Sequence, residues 1–251
     1  MKGKAKLGPL SVIGIVRELR RRSGDPRPLS VAGARELVPI LARELRAGGE
    51  ASAVVENVLE NVSVLVWVGA PDAQQLHTAD RAGVPIIAVT DAGTVPYVPA
   101  TSVIHVPPGQ GFPVAAIARA VADRLGEDGT SLAARLPVVR GAVCDHLIAS
   151  FSKRNAVIAG AVFVPGVDMP LLTLNQVRLV LRIALAHGET IDSKRAVELL
   201  GVVGAGFGWR AVARELLDVV PVAGWAVKAV IAYTGTRAIG EAAVRYFAAR
   251  R

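Results

Sequence analysis

Residues 62–89 read VSVLVWVGAPDAQQLHTADRAGVPIIAV, and this stretch decides the fold of the N-terminal half. Its first part, Val62–Val68, is an apolar run with the length of a buried strand. A helix is predicted from about Pro71 to Ala82, and a second apolar strand covers Val84–Val89. This order of strand, helix and strand predicts a β-α-β unit with two parallel strands.

The same alternation continues on both sides of this unit. Apolar strand segments and amphipathic helical segments follow one another, and Pro113 suits the first position of a helix. Together these elements predict a doubly wound, mostly parallel sheet that is covered on both faces. The further predicted strands are Pro28–Ala32, Ser52–Val55 and Ser102–Val106, and the further predicted helices are Ala34–Arg46 and Pro113–Leu125.

This order resembles a small nucleotide-binding G domain, but the phosphate-binding motif is missing. From Gly33 to Pro39 the chain reads GARELVP, without the second Gly, the Lys and the Ser/Thr that hold phosphates and Mg²⁺ in a P-loop. Where a GTPase reads guanine through Asn/Thr-Lys-x-Asp, the chain has Thr90-Asp91-Ala92-Gly93, so that Gly93 stands at the Asp position. We therefore expect a degenerate G-domain-like domain or a generic doubly wound sheet, and in either case no GTP hydrolysis.

One Gly-rich loop, at residues 107–112, leads into the helix that is predicted to begin at Pro113. The free N–H groups at the start of a helix favour anions. Gly109, Gln110 and Gly111 are therefore candidates for an anion site, and an ordinary turn is the commoner alternative for such a loop.

Residues of the catalytic and metal-binding types do not form a recognisable set. Cys144 is the lone cysteine, and its apolar context indicates a small buried residue rather than a nucleophile. No metal-ligand spacing and no Ser/His/Asp or Cys/His combination can be assembled from the sequence. We expect no enzyme activity, no cofactor and no metal. The histidines are His77, His105, His146 and His187.

Residues 151–251 change from an alternating pattern to a continuous helical one, which predicts an all-α bundle. Charged residues interrupt each apolar run before it reaches the length of about 18 residues that spans a bilayer. Packing within a soluble bundle is favoured, and membrane association stays open as the alternative. The predicted helices are Ser152–Phe163, Leu171–His187, one that begins near Asp192, Trp209–Val219, and one from Pro221 to about Tyr246.

Polar residues mark narrow faces of these apolar helices. Asn175, Arg178 and Arg182 share one face, and Arg237 and Glu241 are four residues apart. Solvated faces are the simplest interpretation. The alternative is an internal ion-paired cluster, because a buried Arg needs carboxylates or carbonyl groups. That cluster would join Asp168, Arg178, Arg182 and Glu241. The whole set of structural or partner-binding candidates is Asn155, Asp168, Asn175, Arg178, Arg182, Arg237 and Glu241.

The same region carries a family resemblance over about residues 150–248. Its most specific part is a helix break, FVPGVDMP at 163–170, followed by the polar-marked helix segment LNQVRLV at 174–180. With Arg154-Asn155, PVAGW at 221–225 and YTGTRAIG at 233–240, this pattern resembles the bacterial YcjF-like domain of unknown function. The resemblance implies association with Era-like GTPases and with membranes, and it implies no catalytic residues. A pseudo-GTPase half in front of this domain agrees with it.

Charge is unevenly distributed along the chain. The net charge is +6 in residues 1–27, −4 in residues 28–150 and +6 in residues 151–251. These limits separate the three predicted parts: a basic N-terminal segment, the degenerate α/β domain and the YcjF-like helical domain. The basic ends suit an anionic membrane surface. Nucleic acid is disfavoured, because aromatic residues for base stacking are not interleaved with the basic ones.

These observations predict a non-catalytic binding or regulatory protein whose helical domain binds a protein partner. A GTPase-type protein and self-association are both open. Since no signal peptide is recognised, we expect the cytoplasm. The alternative is a peripheral protein on the inner membrane face, anchored by its basic N-terminus, the apolar Leu10–Val16 and the apolar helices.

Overall fold

The computed structural model describes residues 14–19, 27–107, 109–161, 169–191 and 225–250. The chain divides into two compact units. One is Ser23–His146, and the other combines Met1–Arg22 with Leu147–Arg251. The described residues 14–19 of the N-terminal segment fall in the second of these units.

The unit Ser23–His146 is built on a sheet of five parallel strands in the order β2-β1-β3-β4-β5. This confirms the predicted α/β architecture. The central strands β3 and β4 are buried throughout, which explains their almost uninterrupted apolar sequences. The strands are β1 Leu29–Gly33, β2 Val54–Glu56, β3 Val64–Val68, β4 Ile86–Thr90 and β5 Val103–His105.

Helices cover both faces of this sheet. Helix α1, Val38–Arg46, packs on β1 and β2. Helix α2, Ala73–Arg81, begins at the N-cap Asp72, whose carboxylate accepts two backbone N–H groups at 2.9 and 3.1 Å. It closes an apolar core that includes Trp67. Helix α3, Val114–Leu125, packs on β3 and β4.

Two strand connections replace the helix that usually joins parallel strands. Residues 57–63 between β2 and β3, and residues 91–102 between β4 and β5, are described throughout and contain no α-helix. Both contribute apolar side chains to the core face beneath α2. They also contain three non-glycine residues with positive φ: Asn57 and Asn61 at 56° and Tyr97 at 63°. The tight return of the chain therefore uses a left-handed backbone that Asn tolerates better than Tyr.

Two helices follow α3: α4, Gly129–Arg135, which was not predicted, and α5, Pro137–Ala161, which was predicted only in part. The helix predicted to begin at Ser152 is only the last part of α5. Because Val139 and Gly141 are weak helix formers, helix propensity does not predict the start of α5. A stripe of buried apolar residues runs along the helix and outweighs that propensity.

The helical unit contains the C-terminal part of α5, helix α6, Met169–Ala186, and helix α7, Trp225–Ala248. Helices α6 and α7 agree closely with the second and fifth predicted helices. The predicted helices from Asp192 and over Trp209–Val219 lie outside the described residues. None of the described helices is long and apolar enough to cross a membrane.

The directions of these three helices follow from two sets of neighbouring residues. The first set is Asn155 with Asn175 and Thr236, and the second is Ile148 with Leu179 and Gly240. In α6 and α7 the chain passes from the first set to the second, whereas in α5 it passes from the second set to the first. Helices α6 and α7, which pack together, are therefore parallel to each other, and α5 runs antiparallel to both.

Candidate functional site

In a doubly wound sheet the ligand site lies at the carboxyl ends of the strands, where the strand order reverses. In this sheet that point lies between β1 and β3. The residues there are Gly33 at the end of β1, with φ +126°, and Gly69 after β3, with φ +91°. The missing P-loop would have occupied this position.

Strands β1 and β3 are neighbours in the sheet and stay paired to their last residues, with Gly33 opposite Val68. The N–H of Ala34 donates a hydrogen bond of 2.8 Å to the carbonyl oxygen of Val68. A Cβ on Gly33 would overlap that same carbonyl, and a Cβ on Gly69 would lie 2.8 Å from the Cβ of Ala34. The glycines therefore allow two chain segments to touch, whereas P-loop glycines leave room for phosphate.

The start of α1 offers few N–H groups to an anion. The N–H groups of Leu37 and Val38 both donate to the carbonyl oxygen of Ala34, at 2.9 and 3.0 Å. Pro39 has no N–H group. A phosphate at this helix start would have to displace hydrogen bonds that the turn already makes.

The residues at the position of the guanine-reading motif also make hydrogen bonds within their own turn. Thr90 is buried, and its hydroxyl accepts a hydrogen bond of 3.1 Å from the N–H of Ala92. Its carbonyl oxygen accepts another from the N–H of Val106 at 3.0 Å. Asp91 and Gly93 are exposed beyond the end of β4. Thr90 therefore serves the turn, and the exposed Gly93 offers no carboxylate for base recognition.

The anion-loop candidates Gly109, Gln110 and Gly111 form an exposed turn before α3. The N–H of Gln110 donates to Pro107 at 3.3 Å, and Gly109 has φ +83°. At the helix start, the N–H of Val114 donates to Phe112 at 2.9 Å. The anion site at this loop stays a prediction.

The histidines occupy separate environments. His77 stacks on Tyr97 with the ring centroids 5.0 Å apart, and Nδ1 of His146 lies 2.9 Å from a carboxylate oxygen of Asp123. His187 is buried, with Nδ1 2.9 Å from the carbonyl oxygen of Ile183 in the preceding turn. Across the part of the chain that the structure describes, no three His, Cys, Asp or Glu side chains are grouped so that they could hold a metal ion.

Cys144 is a poor nucleophile in this fold. It lies on α5, is buried and is a free thiol. Burial, reinforced by the negative charge of Asp145, raises the pKa of the thiol to about 12. The thiol is therefore protonated at neutral pH, whereas nucleophilic chemistry needs the thiolate.

Polar side chains do come together inside the helical unit. Asn155 of α5 donates from Nδ2 to the hydroxyl of Thr236 on α7 at 2.8 Å. Its Oδ1 accepts a hydrogen bond of 2.8 Å from Nδ2 of Asn175 on α6. Gln176 donates to the same Thr236 hydroxyl at 3.3 Å. We call Asn155, Asn175, Gln176 and Thr236 the amide network.

The amide network joins three helices through buried groups. Asn155 and Thr236 are fully buried, and Asn175 is nearly so. A buried amide without a partner is costly, so these hydrogen bonds favour one alignment of the helices over any shifted one. Asn155 and Asn175 were predicted from the sequence as polar candidates, whereas Gln176 and the role of Thr236 were not. The signal for Thr236 was its place among small residues at four-residue spacing, Ala232, Thr236 and Gly240.

The charged candidates pair differently from the hypothesised ion cluster. Arg178 donates to Glu18 at 3.1 Å, with 37% and 40% of the two side chains exposed. Arg237 donates to Glu241 at 2.7 Å on an exposed face of α7, as the four-residue spacing predicted. That hydrogen bond raises the pKa of Arg237. The partners of Arg178 and Glu241 are thus outside the hypothesised cluster. Arg182 is buried on α6, and Asp168 lies outside the described residues.

Glu18 belongs to a helical segment, residues 14–19, in the N-terminal part of the chain. Its apolar residues Ile15, Val16 and Leu19 are buried. The side chains of Ile15 and Val16 therefore face protein, whereas residues 10–13 of the hypothesised headgroup segment lie outside the described residues.

Comparisons with family models, curated proteins and solved structures found no match to this chain. The YcjF-like resemblance therefore stays a prediction, and the functional argument depends on the geometry described above.

Proposed function

We propose that this chain is a non-catalytic binding protein. Its α/β unit would be a scaffold with the topology of a nucleotide-binding domain but without nucleotide chemistry. Its helical unit would bind the partner. The observation that carries this proposal is the closed edge between β1 and β3, where Gly33 and Ala34 lie directly against the backbone of Val68.

The distribution of reactive groups supports the non-catalytic part of the proposal. Catalysis by a side chain needs a base, acid or nucleophile held within hydrogen-bond reach of a partner group in a cleft. Here the Cys144 thiol is buried and protonated. His77 contacts an exposed ring, His146 a lone carboxylate and His187 its own helix. Each of these contacts is accounted for by local structure.

The helical unit is the better candidate for binding because its interior is fixed and its surface is varied. The amide network holds α5, α6 and α7 in one alignment, so the surface of these helices is preorganised. That surface carries the exposed Arg237–Glu241 pair and several exposed apolar residues. A GTPase-type protein is the partner that the YcjF-like resemblance suggests, and self-association is the alternative.

Phosphate release from Mg·GTP and Mg·ATP by the full chain tests the non-catalytic proposal. A P-loop GTPase measured in parallel serves as the positive control. We expect the rate to equal that of a blank without protein. Turnover that rises in proportion to the concentration of this chain and survives repurification would refute the proposal.

A further inference from the structure

The sheet of the α/β unit has two outer strands, β2 and β5. In an outer strand the backbone N–H and C=O groups of every second residue face away from the sheet. Such groups are a template for another strand unless something covers them. The two outer edges of this sheet differ in this respect.

A side chain of α1 covers the edge of β2. The N–H of Asn57 donates to the carbonyl oxygen of Val31 in β1 at 2.9 Å. By alternation, the backbone groups of Val54 and Glu56 therefore face outward. The guanidinium of Arg46 donates to the carbonyl oxygen of Val54 at 3.0 Å and lies 3.7 Å from the carboxylate of Glu56. Another strand would have to displace this charged group.

The edge of β5 carries no such cover among the described residues. The N–H of Val106 donates to the carbonyl oxygen of Thr90 in β4 at 3.0 Å. The backbone groups of Ile104 therefore face β4, and those of Val103 and His105 face outward. The N–H of Val103 donates to the preceding turn. Within the described part of the chain, the groups left unpaired are the N–H of His105 and the carbonyl oxygens of Val103 and His105.

The side chains of β5 suit a further strand at this edge. Val103 packs partly against the core beneath α2, and Ile104, on the opposite face of the sheet, is half-buried. His105 is exposed, and β5 carries no Lys, Arg, Asp or Glu. An added strand would therefore cover both apolar side chains without burying a charge of β5.

We propose that β5 pairs with β5 of a second copy of this chain, antiparallel across a two-fold axis at Ile104. The unpaired groups favour this occupant because they complement themselves. The N–H of His105 in each copy would donate to the carbonyl oxygen of Val103 in the other. Ile104 would then lie directly opposite its symmetry mate, as a non-hydrogen-bonded pair. A foreign peptide would meet the same backbone but no charged side chain of β5 that selects it.

The symmetry of this contact limits the assembly to a dimer. A two-fold contact uses the same surface of both copies, so that no second β5 edge is left for a third copy. The contact belongs to the α/β unit, whereas the proposed function assigns partner binding to the helical unit. It is therefore a further interaction surface of the chain.

Sedimentation velocity of the full chain at increasing concentrations tests the pairing. We expect a monomer that converts to a dimer as the concentration rises. His105→Pro removes the unpaired N–H but no hydrogen bond to β4, which is a position that an edge strand tolerates. We expect this variant to weaken dimerisation by about tenfold or more, because each copy loses its donor. His105→Ala keeps the N–H and is the matched control, which should dimerise like the wild type.

Disulfide trapping tests the register with variants that contain no added proline. Ile104→Cys should form a linked dimer under mild oxidation, since the Cβ atoms of a directly opposite pair lie about 4.5–5.5 Å apart. His105→Cys is the control, because residue 105 is exposed but would be diagonal to its symmetry mate, at roughly 7–8 Å. It should link much more slowly. The wild type, whose Cys144 is buried, gives the background.

A wild-type chain that stays monomeric at its highest soluble concentration would overturn the proposal. A dimer that His105→Pro leaves intact would also overturn it, as would faster trapping through residue 105 than through residue 104. Either of these two results would assign self-association to another surface. None of these measurements involves a nucleotide, so a failure here is distinct from a failure of the non-catalytic proposal.

Discussion

Asn155 on α5 donates a hydrogen bond of 2.8 Å to the hydroxyl of Thr236 on α7, although 81 positions separate the two residues in the sequence. Both side chains are fully buried in a bundle whose other interior contacts are mostly aliphatic. Aliphatic contacts alone tolerate a helix that slides or turns, whereas a buried amide requires its partner at one position. We infer that this hydrogen bond, together with the one that Asn155 accepts from Asn175, fixes the alignment of α5, α6 and α7.

Replacing Asn155 by Ala should lower the free energy of unfolding by about 1–3 kcal/mol, because Asn175 would lose its buried hydrogen-bond acceptor and Thr236 a donor. Urea denaturation measures this change. Lys153→Ala, at an exposed position on the same helix, is the control and should change the stability by less than about 0.5 kcal/mol. Equal effects of the two substitutions would show that the amide network does not stabilise the fold.

The Glu18–Arg178 pair should contribute little to stability. Because more than a third of each side chain is exposed, we expect a coupling energy of about 0.2–1 kcal/mol from a double-mutant cycle of Glu18→Ala and Arg178→Ala. A buried pair, as the sequence analysis considered, would lose about 3–5 kcal/mol when one partner is removed. A coupling energy in that higher range would mean that water does not reach the pair.

Cys144 should resist alkylation by iodoacetamide at pH 8 in the folded protein and react readily in denaturant, since burial holds its pKa at about 12. Because the pKa in the folded state lies above the ordinary value of 9.0, unfolding releases a proton between these two values. The contribution of the thiol to stability is therefore full below pH 9 and is lost as the pH rises toward 12. Equal alkylation rates in the folded and unfolded protein would contradict this placement of Cys144.

Gly33→Ala should destabilise the α/β unit more than Gly48→Ala does. Both glycines have positive φ: Gly48, at 68°, lies in the left-handed region, where an Ala costs roughly 1–2 kcal/mol, and Gly33, at 126°, lies outside that region. Only at Gly33 would the new Cβ overlap a backbone carbonyl, that of Val68; around Gly48 the space is open. A lower melting temperature of Gly33→Ala than of Gly48→Ala is therefore the expected result. Equal melting temperatures would show that Gly33 does not lie against the carbonyl of Val68.

The α/β half was predictable because its signals are local and repeated. Val64–Val68 and Ile86–Thr90 are apolar runs of strand length, with a helix between them that begins at the N-cap Asp72. The sequence also predicted the strand connection at residues 91–102 without a helix, because it placed no helix between Val84–Val89 and Ser102–Val106. The left-handed backbone of Tyr97 in this connection was not predictable, since it is set by tertiary packing and not by turn propensity.

In the helical half, α6 and α7 were predictable from the sequence, but their contacts were not. The spacing of Asn175, Arg178 and Arg182 gave the face that they share, but not that Arg178 pairs with Glu18, 160 positions away. Small residues such as Thr236 signal a close approach of helices without naming the neighbour. Contacts between residues that are far apart in the sequence depend on how the helices pack together. The spacing of residues along the sequence does not give this packing.

Isothermal titration of the full chain with Mg·GTP and with Mg·ATP tests the central claim most directly. That claim is that the strand ends at Gly33, Ala34 and Val68 do not bind a nucleotide, and binding must precede hydrolysis. We expect no saturable heat for either nucleotide at concentrations up to the high micromolar range. Saturable binding with a micromolar Kd that is lost when Mg²⁺ is omitted would contradict the account, since the turn after β1 lacks the Lys and Ser/Thr of a P-loop and the N–H groups of Leu37 and Val38 already donate to Ala34.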